Sequence, residues 1–92
     1  MIVFVEYFAQ ARDVAGCPRE AVELAGTATL IDLVKVLATR HGPRMAALLL
    51  GPDGGVSRQV ILTVGDVHVL SGQGVVLSDG DRVTVVPPIS GG

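Results

Sequence analysis

Between Thr29 and Pro43 the chain carries its only long stretch with a helical period. Leu30, Leu33, Val34, Leu37 and His41 fall at i, i+3, i+4, i+7 and i+11, one apolar stripe that ends in a histidine. Thr29 is a good N-cap residue, and Asp32 three positions later completes an acidic capping box. Arg40 and His41 sit in the last turn, where the helix dipole favours cations, and Gly42-Pro43 stops the helix. A second, short helix is expected from Met45 to Leu50. One long helix can cover only one face of a sheet, and this limits the folds open to the chain.

The flanking segments read as strands. Ile2 to Phe8 is rich in β-branched and aromatic residues, and its largely apolar faces predict a central strand. Ala9 to Pro18 is a connection, with one helical turn through Ala11-Arg12-Asp13-Val14 closed by Gly16. In Glu20 to Leu24, Glu20, Val22 and Leu24 share one side, the mark of a returning hairpin arm. Gly51 to Gly55 reads as a flexible loop. Val60 to Val64 and Val67 to Leu70 are strands joined at Gly65-Asp66. Ser78-Asp79-Gly80-Asp81 is a turn, and Arg82 to Val86 the last strand. Strand, strand, helix, then more strands is an α+β order. It predicts a β-grasp fold: a mixed sheet packed on one main helix, with first and last strands adjacent and parallel. Residues 1–86 would form this domain and residues 87–92 an extended tail.

Ninety-two residues leave room for one core, and 49% of them are apolar. The net charge is −2, the basic residues stand singly, and Phe4, Tyr7 and Phe8 are the only aromatics, so neither a nucleic-acid face nor a stacking platform is expected. No positive leader precedes the first strand and no apolar run is long enough for a bilayer. The expectation is a soluble, cytoplasmic, monomeric domain that does not engage a membrane.

No self-contained active site is visible. Cys17 is the only cysteine, which excludes an internal disulfide and a cysteine-cluster metal site. His41 and His68 lack neighbours at ligand spacing. His41 is expected to cap or pack on the helix end, and His68 to lie on a strand. Asp79 and Asp81 flank Gly80 as turn residues do. Gly51 to Gly55 and Gly72-Gln73-Gly74 lack the lysine or the spacing of a phosphate cradle.

The last residues differ in kind. Pro87 and Pro88 have no N–H to donate and fix φ, so the strand cannot continue past them as a central ladder member. They launch a stiff arm that spans about 20 Å when extended. Gly91 and Gly92 end it without a Cβ, slim enough for a narrow channel. Such an arm suits a substrate rather than a catalyst. A carboxylate is a poor electrophile until ATP converts it to an acyl adenylate, after which a sulfur nucleophile can make a thiocarboxylate. An enzyme must hold ATP and this carboxylate together, so the arm has to enter another protein's site.

Three segments then carry a family resemblance. Phe8-Ala9-Gln10-Ala11-Arg12-Asp13-Val14-Ala15-Gly16 looks like a Phe-Ala-x-x-Arg-acidic-x-x-Gly connection. Leu77-Ser78-Asp79-Gly80-Asp81-Arg82-Val83 is similar to a Leu-x-Asp-Gly-Asp-x-Val turn and strand. Pro87-Pro88-Ile89-Ser90-Gly91-Gly92 matches a Pro-Pro-aliphatic-small-Gly-Gly ending. All three, in this order, resemble the small subunit of molybdopterin synthase, a ubiquitin-like β-grasp sulfur carrier with a flexible Gly-Gly tail.

The resemblance implies a cycle. A ubiquitin-activating-like adenylyltransferase adenylates Gly92 with ATP, and a sulfurtransferase or cysteine desulfurase supplies sulfur for the thiocarboxylate. The tail, with Gly91 before the carrier residue, then enters the synthase large subunit. That subunit's own residues perform catalysis on cyclic pyranopterin monophosphate, and this chain serves as a non-catalytic donor with no bound cofactor. By motif position Phe8, Val86, Pro87, Pro88, Ile89 and Ser90 fall to the partner-binding surface and tail. The family often has an Asn where Val64-Gly65-Asp66 stands here, and the Gly51 to Gln59 and Ser71 to Val76 stretches are longer than usual. Two other functions share the Gly-Gly chemistry: a sulfur carrier of another pathway, such as the thiamine one, and a protein modifier that forms isopeptide bonds. Lys35 is the only lysine, so self-conjugation would be limited to it or the N-terminus. A plain β-grasp interaction module with an inert tail is a further class.

Overall fold

The computed structural model describes residues 1–69 and 74–88. Its elements run β1 (Ile2–Tyr7), α1 (Ala9–Ala15), β2 (Arg19–Glu23), α2 (Leu30–His41), α3 (Pro43–Leu49), β3 (Ile61–Val64), β4 (Val67–Val69) and β5 (Arg82–Val86). The strands form one mixed sheet in the order β2-β1-β5-β3-β4. β1 and β5, first and last in the chain, lie side by side and parallel, and the other pairs are antiparallel. This is the ubiquitin-like β-grasp arrangement that the order of elements predicts.

The α2 cap forms as its sequence requires. The Asp32 N–H donates to the Thr29 hydroxyl, and the Thr29 N–H donates to the Asp32 carboxylate at 2.9 Å. These bonds hold the Asp32 carboxyl below its usual range, the backbone N–H of Thr29 first. Leu30, Leu33, Val34 and Leu37 are buried against the inner face of the sheet. That face supplies Val3, Val5, Tyr7, Val22, Leu62, Val83 and Val85.

Two expectations are corrected. The first connection is a seven-residue helix rather than a single turn from Ala11 to Val14. Gly16 ends it in the left-handed region (φ 77°), and the Gly16 N–H donates to Arg12 O at 2.9 Å. Pro43 does more than stop α2: it occupies the first turn of α3, where its missing N–H costs nothing, and α3 buries Met45 and Leu49. β1 is internal, as its apolar faces predict. Ile2 and Phe4 are nearly half exposed, because among the described residues no element packs on the sheet face opposite α2.

The Ser78 to Asp81 turn extends the β1–β5 ladder. Asp79 Oδ1 accepts from the Ile2 N–H at 2.8 Å, Asp81 O accepts from the Phe4 N–H at 2.8 Å, and Gly80 takes φ 85°. Asp79 and Asp81 therefore serve the backbone.

Candidate functional site

β5 runs up the middle of the sheet and ends at Val86, where the prolines begin. Pro87 is buried and Pro88 exposed, so the last described residues pass from the fold into solvent within one peptide unit. Ile89, Ser90, Gly91 and Gly92 lie outside the described residues, and so do Leu70 to Gln73.

Phe8 sits beside the root of this tail. Tyr7 faces Val85 in the parallel ladder, and the Phe8 N–H donates to Val85 O at 3.1 Å, which puts Phe8 next to Val86. On its other side Val86 faces Ile61. Phe8, Val86 and Ile61 thus form one apolar row across three strands on the open face. Phe8 is 39% and Ile61 43% exposed. Isolated exposed apolar residues are ordinary, whereas here they stand in a row at the point where the chain leaves the sheet.

Of the site residues expected from sequence, the structure brings together Phe8, Val86, Pro87 and Pro88. Ile61 was missed. It sits in the continuous apolar run Val60-Ile61-Leu62, where alternation cannot say which side is covered, and only its pairing with Val86 reveals the face.

A second constellation was also missed, on the inner side of the sheet. The Glu20 carboxylate takes the Tyr7 hydroxyl and His41 Nε2 (2.5 Å) on one oxygen and Arg40 (2.7 Å) on the other. A carboxylate only accepts, so His41 carries its proton on Nε2. Partial burial pushes the Glu20 carboxyl up, but the bonds from Tyr7, Arg40 and His41 outweigh it and hold the group below its usual range. Burial first, and then the neighbouring Glu20 carboxylate, holds the Tyr7 phenol above its usual range. The signals were in the sequence: Glu20 keeps phase with Val22, and His41 ends the helix stripe. The cluster ties β1, β2 and the end of α2 together, and every polar group in it has a partner.

Neither constellation supplies a nucleophile with its base. Among the described residues no group of three or more His, Cys, Asp or Glu could hold a metal ion. Two surface grooves, one along α2 at Lys35, Val36, Thr39 and Arg40 and one at the Gly51 to Gln59 loop, are lined without Phe8, Val86 or Pro88. No helix among the described residues is long and apolar enough to cross a membrane.

Comparison with known proteins agrees with this geometry. The sequence profile of the ThiS family matches residues 5–92. A human protein named molybdopterin synthase sulfur carrier subunit is 35% identical over 91 residues, covering 98% of this chain and 93% of that one. Small archaeal modifier protein 1 of Haloferax volcanii is 31% identical over 86 residues, covering 92% and 94%. The crystal structure of SAMP1 from the same organism superposes with a TM-score of 0.86 at 26% identity, over all of both chains.

Proposed function

We propose a function from one premise: this chain belongs to the ThiS family, and it is a sulfur carrier of that type. The reading is that Gly92 is adenylated with ATP by a ubiquitin-activating-like enzyme. A persulfide on a sulfurtransferase or cysteine desulfurase then displaces AMP to give an acyl disulfide. A second thiol attacks the enzyme-side sulfur and forms a new disulfide, and the thiocarboxylate so released delivers its sulfur to cyclic pyranopterin monophosphate inside the molybdopterin synthase large subunit. The near full-length likeness to the human carrier subunit supports the molybdopterin pathway over other sulfur pathways.

One observation carries the reading. The central strand stops at a buried proline, an exposed proline follows, and an exposed apolar row flanks the exit. Pro87 seats the chain in the fold and Pro88 stands in solvent, so the chain leaves the sheet at a fixed point. The row beside it gives a partner an apolar surface on which to orient before the tail enters. Holding the carboxylate this way converts a bimolecular encounter into a local one, which is the contribution a carrier makes.

The test is an intact mass of the chain after incubation with ATP, the activating enzyme and a sulfur donor. Replacement of one terminal oxygen by sulfur is the expected result. An unchanged mass with all three present overturns the reading. The likeness to small archaeal modifier protein 1 favours a second reading, transfer of Gly92 to lysines of target proteins after the same activation. A branched peptide on a target lysine, in place of the oxygen-to-sulfur change, would decide for it.

A further inference from the structure

The open face of the sheet is not uniformly apolar. One row in from Phe8, Val86 and Ile61, the strand registers align Arg19, Glu6, Thr84, Thr63 and His68 across all five strands: Arg19 opposite Glu6, Glu6 opposite Thr84, Thr84 opposite Thr63, Thr63 opposite His68. Glu6, Thr84 and Thr63 lie on the open side, since their sequence neighbours Val5, Tyr7, Val83, Val85 and Leu62 are buried on the other, and Arg19 and His68 share that side as the ladder partners of Glu6 and Thr63. Beyond this polar row the face turns apolar again, at Phe4 and Ile2, which are 48% and 44% exposed.

We infer that the synthase large subunit, in taking the tail, also covers this polar row, meets it with hydrogen-bonding side chains, and is selected by the Thr63 and Thr84 hydroxyls at its centre. The inference rests on the sulfur-carrier reading and names what that reading leaves open, the chemistry of the receiving surface. Gly92 lies four residues along from Pro88, a span of at most about 14 Å, so a site that holds Gly92 cannot stand far from the tail root. Successive rows on one face of a strand are about 7 Å apart. A standard interface buries roughly 800 Å² per partner, a patch about 30 Å across. A partner of ordinary size seated on Phe8, Val86 and Ile61 therefore lies over the row behind them as well.

Chemistry then sets what that partner can be. Glu6 already has Arg82 at 3.4 Å, whereas among the described residues the Thr63 and Thr84 hydroxyls have no protein partner. Both hydroxyls are half-buried in the sheet and still reach water. A wholly apolar cover would remove that water and leave two unpaired hydroxyls, which discriminates strongly against it. A surface with polar groups at those two points loses nothing.

The experiment measures binding of the full chain to the molybdopterin synthase large subunit of the same organism, by calorimetry. It compares wild type, the double variant Thr63→Val/Thr84→Val, and Thr39→Val on the exposed side of α2 as a control. Valine keeps the shape and suits a strand, so folding is preserved and circular dichroism confirms it. The expected result is at least tenfold weaker binding by the double variant, because the partner's groups are left unpaired, with the control unchanged. Binding by the double variant within twofold of wild type, or tighter, overturns the inference, and the oxygen-to-sulfur mass change still stands as the separate test of the carrier reading. Wild type that dimerises through this face, seen by sedimentation without the large subunit, also overturns it. Failure of wild type to bind at all removes the molybdopterin synthase assignment and this inference with it.

Discussion

Glu20 shows how one residue can organise a region. Its carboxylate, on β2, is the shared acceptor for Tyr7 of β1 and for Arg40 and His41 of α2. Glu20→Ala would leave the tyrosine and histidine donors unpaired in a half-buried place, and a loss of about 1–3 kcal/mol is expected, read from urea denaturation. Glu20→Gln keeps the shape but removes the charge, and it gives the pH signature. Because the folded carboxyl lies below its unfolded value, the stabilisation is complete above the ordinary value of 4.5 and fades as pH falls through the folded value. The stability gap between wild type and Glu20→Gln should therefore be constant near neutrality and shrink in acid. A gap that grows as pH falls would contradict the geometry. None of this touches the tail, so Glu20→Gln should carry sulfur normally wherever it is folded.

At the scale of elements, legibility followed periodicity. α2 could be read outright because its stripe, its cap residues and its Gly-Pro stop all agree. Thr29→Ala removes the hydroxyl that accepts the Asp32 N–H, and should lower stability by about 1 kcal/mol in the same denaturation measurement. An unchanged midpoint would mean that the bridge between Thr29 and Val76, which also pins this end of the helix, does the work instead. The strands were legible as strands, but their faces were not. Ile2-Val3-Phe4-Val5 and Val60-Ile61-Leu62 are continuous apolar runs, and a continuous run is the same string whether one side or both are covered. Only pairing shows that Phe4 and Ile61 lie on an uncovered side. α1 was underestimated for a related reason: it buries only Ala11, so it leaves almost no apolar period to detect. Of the candidate site, the prolines and Phe8 were visible as a motif. Ile61 and the polar row exist only once strands from distant parts of the chain are in register.

At the scale of the whole molecule, the fold works as a handle. The buried core cluster of the described residues runs from Val3 to Val85, and Pro87 is the last described residue seated in the fold. Removing Gly91 and Gly92 should leave the thermal midpoint of the rest unchanged by circular dichroism. The shortened chain still has the open sheet face, and should still bind the synthase large subunit through it. It presents its new carboxylate about 7 Å short, on Ser90, whose side chain fills space the glycines leave free. Loss of position on that scale is severe for a reaction that depends on alignment, so sulfur transfer in a reconstituted synthase should fall to background. Binding kept and transfer lost is the pattern that separates a surface from a reagent. Full transfer from the truncated chain would place the sulfur elsewhere, and the unpaired thiol of Cys17 would be the first place to look.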